Sequence, residues 1–345
     1  MTHTATHANH NPEEFDAVVI GAGFGGMYAL HTLREHGLKV RVYDEATGVG
    51  GTWYWNRYPG ARVDYPGGPF YCYTFSEDLL KEFDWPEKQP DQPTVLRYLN
   101  FVADRLDLRR DIELGSRVTG AVYDEATQRW DIETGKGGHV RAQFLVCAVG
   151  ALSAAHVPDI PGVQSFKGEC YHTGRWPNDQ QVVFKGKRVG IIGTGSSGIQ
   201  STPVVARDAA HLTVFQRTPQ YSVPAGNTPT DQKLVAQARA NWPKFRNIML
   251  TTPIGAPDEP TTIRACDHTP EQRLATYEAA WKQGGLGPIL VSTYCDILTD
   301  PQSNEWLAEF VRDKIRATVK DPETARKLLP SYFIATKRQV MDEGY

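Results

Sequence analysis

Two glycine-rich turns, each followed by a different polar residue, are the features of this 345-residue sequence that could do chemistry. In the first, Gly21, Gly23 and Gly26 form the pattern GxGxxG after the apolar segment FDAVVI. In a strand-to-helix turn, the first glycine permits the sharp bend, the second lets the backbone approach a pyrophosphate, and the third lets helix and strand pack closely. The helix N-terminus then faces the phosphates. The pattern predicts a dinucleotide site.

An acidic residue at the end of the next predicted strand indicates which ribose this site accepts. Asp44 lies 23 residues after Gly21. This spacing is near the value of about 20 that is usual for the acid that binds ribose hydroxyls. The first site is therefore expected to bind a dinucleotide whose ribose hydroxyls are free, as in FAD or NAD.

The pattern recurs in KRVGIIGTGSSGIQ, where Gly193, Gly195 and Gly198 again follow an apolar strand. The position that matches Asp44 is Gln216, and Arg217 comes next. A carboxylate would repel a 2′-phosphate, whereas a guanidinium binds it through two parallel hydrogen bonds. We therefore expect FAD at the first site and NADPH at the second. Taken alone, Arg217 would be read as a solvated arginine at a strand end, and its register with Asp44 favours the binding role.

Composition excludes several other classes of protein. The net charge of −3 and the pI of about 6.4 argue against a nucleic-acid partner, which requires a clustered basic surface. The five cysteines include no CxxC pair, so neither a disulfide framework nor a zinc site is expected. No signal peptide or membrane span is indicated, and we predict a cytosolic chain without a membrane partner. No metal is expected, although His3, His7 and His10 lie in a polar tail.

The segment FKGECYHTGRWP, from Phe166 to Pro177, links the two nucleotide units. One interpretation is a structured linker in which His172 and Trp176 pack for stability. However, the segment has the form FxGxxxHxxxWP, and here the chain closely resembles the Baeyer–Villiger monooxygenases, especially the branch that oxidises cyclohexanone and cyclopentanone. The stretches GGTWYWNRYPGARVD, RTPQYSVP, DPETARKLLP and ATKR also resemble that family. The resemblance covers essentially the whole chain.

The resemblance implies an NADPH-consuming, FAD-dependent enzyme that inserts one oxygen atom of O2 next to a ketone carbonyl and gives an ester or lactone. Arg338 matches the active-site arginine of the family, which stabilises a negatively charged oxygen species. Asp64 matches the carboxylate that orients this arginine, and Lys337 matches a second contact to the 2′-phosphate. His172 matches a histidine that couples domain movement to catalysis. From the residues alone, a Lys-Arg pair is more often a solvated tail, and GARVD is consistent with a simple turn.

Residues around the two glycine turns complete the predicted binding sites. Trp53, with the neighbouring aromatic residues, could line the flavin or fill a core. The residues predicted to bind FAD are Gly21, Gly23, Phe24, Gly26, Asp44, Gly51, Thr52, Trp53, Asp64 and Tyr71. The residues predicted to bind NADPH are Gly193, Thr194, Gly195, Ser196, Ser197, Gly198, Arg217, Thr218 and Lys337.

The predicted fold is α/β, with two Rossmann-like dinucleotide-binding domains and a mostly helical insert. Residues 1–150 are assigned to the FAD domain, 151–222 to the linker and NADP domain, 223–321 to the insert, and 322–345 to the return into the NADP domain. Within the insert, apolar residues at helical spacing predict three helices, in WPKFRNIML, TPEQRLATYEAAWKQ and SNEWLAEFVRDKIRATV. Members of the family continue for about another domain's length, so we expect the sequence to be a fragment. Its oligomeric state is not predicted.

Two other functions fit parts of the sequence. One is a flavin-containing monooxygenase that acts on amines and thioethers, whose linker typically lacks the Trp-Pro pair found at Trp176 and Pro177. The other is a nucleotide-binding module without turnover, which a shortened chain would favour. The combination of Trp176, Asp64 and Arg338 favours ketone oxygenation.

Overall fold

A computed structural model describes residues 12–67, 69–252, 255, 260–342 and 344 of the chain. Contacts divide the chain into two compact units. Unit 1 comprises Met1–Arg57 and Val95–Trp176, and unit 2 comprises Tyr58–Thr94 and Pro177–Tyr345. These boundaries differ from the predicted domain boundaries, which stay a prediction.

The strands, in chain order, are β1 (Glu13–Ile20), β2 (Val40–Tyr43), β3 (Ile112–Glu113), β4 (Val118–Asp124), β5 (Arg129–Thr134), β6 (His139–Cys147), β7 (Arg188–Ile192), β8 (His211–Phe215), β9 (Ser222–Pro224) and β10 (Val340–Asp342). The helices are α1 (Phe24–Glu35), α2 (Thr52–Trp55), α3 (Glu77–Glu82), α4 (Gln92–Arg105), α5 (Ser196–Asp208), α6 (Gln232–Ala240), α7 (Trp242–Thr251), α8 (Pro270–Gln283), α9 (Leu286–Leu290), α10 (Pro301–Thr318) and α11 (Pro322–Leu328). Short 3-10 helices lie at Arg109–Asp111, Val163–Ser165, Thr173–Arg175 and Ala265–Asp267.

Unit 1 is built around a mixed sheet with the strand order β3-β2-β1-β6-β5-β4. Strands β3, β2, β1 and β6 run parallel, and β5 and β4 continue the sheet in antiparallel pairing. Parallel strands end at one edge of a sheet, and ligands of such sheets bind outside that edge. The carboxyl ends of β1 and β2 carry Gly21 and Asp44 to this edge. The buried core of this sheet includes Phe15, Val18 and Tyr43.

The first glycine turn has the close packing that its sequence pattern predicts. Gly21 has φ +105°, a left-handed conformation that favours glycine. A Cβ atom on Gly26 would lie 1.7 Å from the carbonyl oxygen of Gly21. Helix α1 therefore begins directly over the end of β1, at a distance that only a glycine permits.

Unit 2 contains a second parallel pair, β7 with β8, and helix α5 packs against both strands. Helix α5 also packs against β10, which pairs in parallel with β9. Helices α7, α8 and α10 correspond to the three helical segments predicted between residues 223 and 321. A buried core joins α8, α9 and α10 to β9 and β10 through side chains such as Tyr221, Tyr294 and Leu307. The predicted α/β class is confirmed.

Three further predictions concern membrane spans, metal sites and the cysteines. No helix in the described ranges is both long and apolar enough to cross a membrane. Those ranges also contain no group of three or more His, Cys, Asp or Glu residues that could hold a metal. His3, His7 and His10 lie outside them. The five cysteines are free thiols. The cytosolic location stays a prediction.

Adjacent glycines in α1 allow a matched test of the packing at the first turn. We expect Gly26→Ala to destabilise the chain strongly, because its Cβ would overlap the Gly21 carbonyl oxygen, and overpacking of this kind costs about 1–3 kcal/mol or more. Gly25→Ala is expected to be neutral or slightly stabilising, because its Cβ would meet only the Ala148 Cβ, at 3.9 Å. Urea unfolding of both variants measures the difference, and equal stabilities would contradict the packing described.

Candidate functional site

The acid predicted to select the ribose holds the first glycine turn in place. One carboxylate oxygen of Asp44 accepts from the Ala22 backbone N–H at 2.6 Å, and the other accepts from the Ala46 N–H at 2.8 Å. Asp44 is only 9% exposed. Each carboxylate oxygen can accept a second hydrogen bond, so Asp44 can position the turn and still bind a hydroxyl.

A second pair of glycines lies directly on this turn. The Gly50 backbone N–H donates to the Ala22 carbonyl at 2.9 Å. A Cβ on Gly51, which has φ +54°, would lie 2.9 Å from the Gly23 Cα. Helix α2, with Thr52 and Trp53, therefore starts beside the first turn. The structure thus brings together the predicted FAD residues of unit 1: Gly21, Gly23, Phe24, Gly26, Asp44, Gly51, Thr52 and Trp53.

The second glycine turn repeats this geometry between β7 and α5. Gly193 has φ +102°, and a Cβ on Gly198 would lie 2.1 Å from the Gly193 carbonyl oxygen. Around Gly195 no heavy atom lies within 4 Å of an added Cβ, so the backbone there is open to a ligand. The Thr194 hydroxyl donates to the Thr218 carbonyl at 3.2 Å and ties the turn to the chain after β8.

Both glycine turns leave a helix N-terminus without a side-chain cap. Helix α1 follows Gly23 and helix α5 follows Gly195, and neither glycine can supply a capping side chain. Other long helices of the described chain are capped by side chains, namely Asp231 for α6, Asn241 for α7, Thr269 for α8 and Asp300 for α10. The first backbone N–H groups of α1 and α5 can therefore donate to an anion. The predicted residues Ser196 and Ser197 lie in the first turn of α5.

The cations predicted at the second site lie on two segments of unit 2. Arg217 is exposed just after β8, and Lys337 is exposed just before β10. The Lys337 ammonium lies 4.8 Å from the centroid of the Tyr332 ring. Gln216, which occupies the position of Asp44, donates through its amide to the Lys327 carbonyl at 2.9 Å. The strand end therefore carries no carboxylate in register with Asp44.

Arg338 and Asp64 form an ion pair in unit 2, between a guanidinium Nη2 and a carboxylate Oδ2. The Arg338 side chain is 68% exposed and the Asp64 side chain 24% exposed. A pair this accessible contributes little to folding. The family resemblance implied that Asp64 orients Arg338, and the contact is present, while the catalytic role of both residues stays a prediction.

Anchors on both sides of Arg338 fix its backbone. The amide of Asn304, which is buried on α10, accepts from the Ile334 backbone N–H at 2.9 Å and donates to the Ile334 carbonyl at 3.0 Å. Ala335 then turns the chain with φ +68°, an unusual conformation for a residue other than glycine. Strand β10 begins at Val340 and pairs with β9. Arg338 therefore projects from a short, firmly held stretch.

The segment that carries Asp64 is held against helix α5. The Tyr58 hydroxyl donates to the Gln200 side-chain oxygen at 2.9 Å, and the Gln200 amide donates to the Arg62 carbonyl at 3.1 Å. A Cβ on Gly60, which has φ +79°, would lie 2.3 Å from the Gln200 carbonyl oxygen. Burial raises the pKa of the Tyr58 hydroxyl above its ordinary value, so the hydroxyl stays protonated and donates. The helix of the second turn thereby positions Asp64.

His172 uses both ring nitrogens within its own linker. The Gly174 backbone N–H donates to Nδ1 at 3.0 Å, and Nε2 lies 3.2 Å from the His156 carbonyl oxygen. Because Nδ1 accepts a hydrogen bond, the proton of the neutral ring is on Nε2, which donates to the carbonyl. This arrangement favours a positioning role over proton transfer, a choice that the sequence left open.

Comparison with known proteins gives the family. Residues 15–241 match the pyridine nucleotide-disulphide oxidoreductase family, which is more than half of the chain. The chain belongs to this family. It is also 46% identical over 333 residues to a Baeyer–Villiger monooxygenase of Pseudooceanicola batsensis, with 96% of this chain and 60% of that protein covered.

Solved structures give a result that agrees with this similarity. Cyclohexanone monooxygenase from Rhodococcus sp. Phi1 bound to NADP+ matches with a TM-score of 0.92 and 45% identity, covering 97% of this chain and 62% of that chain. OTEMO in complex with FAD and NADP matches with a TM-score of 0.91 and 39% identity, covering 97% and 63% respectively. The resemblance to the Baeyer–Villiger monooxygenases is confirmed, and the chain spans about 60% of the length of the relative.

Two of the residues predicted to bind FAD lie outside unit 1, to which the other predicted FAD residues belong. Asp64 and Tyr71 belong to unit 2, where the centroid of the Tyr71 ring lies 6.4 Å from the ring centroids of Tyr65 and Trp85.

Sequence reasoning also missed Gln200 and Arg175. Glutamine in the middle of a helix has no pattern that indicates burial, whereas Arg175 could have been noticed because it lies within the linker motif.

Within unit 2, the Tyr58–Gln200 hydrogen bond is expected to matter more for folding than the Arg338–Asp64 ion pair. Tyr58→Phe removes the donor to a buried amide oxygen, which costs about 1–3 kcal/mol. Arg338→Ala removes an exposed ion pair, which costs less than about 1 kcal/mol. Urea unfolding measured in parallel gives both free energies. A larger loss for Arg338→Ala would show that the ion pair is structural.

Proposed function

We propose that this protein is an FAD-dependent, NADPH-consuming Baeyer–Villiger monooxygenase. It inserts one oxygen atom of O2 next to the carbonyl of a small-molecule ketone, preferably a cyclic one, and gives an ester or lactone. The observation that carries the proposal is the Arg338–Asp64 ion pair, in a chain that also has two glycine turns whose helices begin without a side-chain cap. The names of the relatives support the same activity.

The geometry of unit 1 fits FAD. The N-terminus of α1 is free of a side-chain cap, and a Cβ at Gly23 would lie 3.4 Å from the Gly51 Cα, so the two glycines let these backbone segments lie close together. We assign the pyrophosphate to these N–H groups and a ribose hydroxyl to Asp44. The cofactor complex of OTEMO supports FAD as the ligand. When bound here, FAD would supply the redox chemistry of the reaction, with NADPH as the source of electrons.

The geometry of unit 2 fits NADPH. The N-terminus of α5 would receive the pyrophosphate at Gly195, where the backbone is open. Arg217 and Lys337 would bind the 2′-phosphate, and no carboxylate stands at Gln216 to repel it. The NADP+ complex of the Rhodococcus enzyme supports this assignment. NADPH should therefore be preferred over NADH.

Arg338 supplies the charge that the reaction needs. A guanidinium is not deprotonated in proteins, so it can stabilise an anion without donating a proton to it. A nucleophilic oxygen attacks a ketone carbonyl only while it remains unprotonated. Asp64 orients the guanidinium and lowers the net charge of the pair. His172 holds the linker turn and takes no proton in this scheme.

Replacing Arg338 separates cofactor oxidation from oxygen transfer. We expect Arg338→Ala to keep oxidising NADPH, because the residues assigned to the two cofactors are unchanged, and to lose ester formation by about 100-fold or more. Arg338→Lys should restore little of it, because an ammonium lacks the planar fork and can lose its proton. The assay follows NADPH consumption and lactone formation from cyclohexanone. Arg326→Ala, which removes an exposed arginine of α11, is the control.

Undiminished lactone formation by Arg338→Ala would refute the catalytic assignment. An enzyme that converts a thioether and leaves cyclohexanone untouched would instead favour the amine and thioether monooxygenases. Binding of NADPH without any turnover would favour a nucleotide-binding module.

The second cofactor assignment predicts a change in coenzyme preference. Arg217→Ala should raise the KM for NADPH by about 10- to 100-fold, because a charge-assisted hydrogen bond to the 2′-phosphate contributes about 1.5–3 kcal/mol. The KM for NADH should hardly change. Arg207→Ala, at the far end of α5, is the matched control. An equal loss with both coenzymes would place Arg217 elsewhere than at the 2′-phosphate.

A further inference from the structure

Arg175 connects the end of the linker to the surroundings of the first glycine turn. Its guanidinium Nη2 donates to a carboxylate oxygen of Glu45 at 2.7 Å and to the Ser153 carbonyl at 3.1 Å. The guanidinium carbon also lies 4.3 Å from the centroid of the Trp55 ring. All four residues belong to unit 1.

The partners of Arg175 are not ordinary surface residues. Glu45 directly follows Asp44, and Trp55 ends helix α2, whose first turn lies against the glycine turn. Arg175 is therefore bound to both segments that flank the first nucleotide site. On the linker side, it ends the 3-10 turn that His172 caps, and the chain enters unit 2 two residues later, at Pro177.

Partial burial makes this contact stronger than a solvent-exposed ion pair. The side chains of Arg175 and Glu45 are 33% and 29% exposed. Burial alone would raise the pKa of Glu45, but its hydrogen bonds and charge interactions with Arg175 and Arg117 outweigh burial and lower it. Stacking of a guanidinium on tryptophan adds a cation–π attraction that grows as water is excluded.

We propose that Arg175 is a positioning residue that clamps the His172 turn to Glu45 and Trp55, so that order in the linker and occupancy of the first nucleotide site favour each other. Such coupling is reciprocal: if the clamp strengthens ligand binding, the ligand strengthens the clamp by the same factor. The coupling to FAD rests on the proposed function. The clamp itself rests only on the contacts of unit 1.

Limited proteolysis with chymotrypsin tests the clamp in this chain without any ligand. Tyr171 directly precedes the clamped His172 turn and is half-buried, whereas Phe166 lies farther from the turn, is 64% exposed and serves as an internal reference. For Arg175→Ala, we expect cleavage after Tyr171 to accelerate about three- to tenfold relative to cleavage after Phe166. Arg175→Lys keeps the charge and loses the planar stack, so its rate of cleavage after Tyr171 should lie between those of the wild type and Arg175→Ala.

Arg117 offers a matched control because it binds the same carboxylate. Its guanidinium lies 2.7 Å from the other oxygen of Glu45, but its side chain is 68% exposed, and it contacts no part of the linker in the interactions described. Arg117→Ala should therefore leave Tyr171 cleavage unchanged, whereas Glu45→Gln should accelerate it. Equal cleavage in wild type and Arg175→Ala, or equal acceleration by Arg117→Ala, would overturn the clamp.

Titration with FAD tests the coupling separately. Saturating FAD should slow cleavage after Tyr171 in the wild type. By reciprocity, Arg175→Ala should raise the Kd for FAD by the same factor as this slowing. If FAD binds both proteins equally, the coupling is wrong. If FAD binds neither, the proposed FAD site is wrong, and the ligand-free cleavage rates still decide the clamp.

Discussion

The constraint on which both proposed nucleotide sites depend is the contact between a glycine Cα and the carbonyl oxygen of the glycine that begins the turn. At Gly26 and again at Gly198, a Cβ would lie within 2.1 Å of the oxygen of Gly21 or Gly193. Because there is no Cβ, the helix starts directly over the end of the strand. Its first N–H groups then point past the sheet edge, where they can meet a phosphate. Helices α1 and α5 lack side-chain caps because the residues before them are the middle glycines of the two patterns, Gly23 and Gly195.

Charge differentiates two sites that share this backbone. Asp44 gives the first turn a buried carboxylate bonded to two backbone N–H groups, while the second turn has Gln216 and an exposed Arg217 in the equivalent place. The Tyr58–Gln200 hydrogen bond joins helix α5, which follows the second glycine turn, to the segment that ends at Asp64. The Arg338–Asp64 pair is thus held by buried neighbours while it remains exposed itself. An exposed cation held in this way is suited to chemistry more than to stability.

Local patterns in the sequence predicted local structure well. The glycine spacing predicted both turns, the distance from Gly21 predicted the position of Asp44, and apolar periodicity predicted α7, α8 and α10. The pairing of Asp64 with Arg338, 274 residues apart, followed from family resemblance and not from any local signal. The Tyr58–Gln200 and Arg175–Glu45 contacts span 142 and 130 residues, and no pattern near either residue reveals them. For the same reason, the inclusion of residues 58–94 in unit 2 was not predicted.

The central claim is that one chain holds two separate dinucleotide sites. The first site prefers a ribose with free hydroxyls, and the second prefers a ribose with a 2′-phosphate. Isothermal titration calorimetry tests it most directly, by titrating NADP+ into the protein before and after saturation with FAD. The account predicts one FAD and one NADP+ bound per chain, with the NADP+ stoichiometry unchanged by FAD. Loss of NADP+ binding after saturation with FAD would mean that the ligands share one site, and would contradict the account.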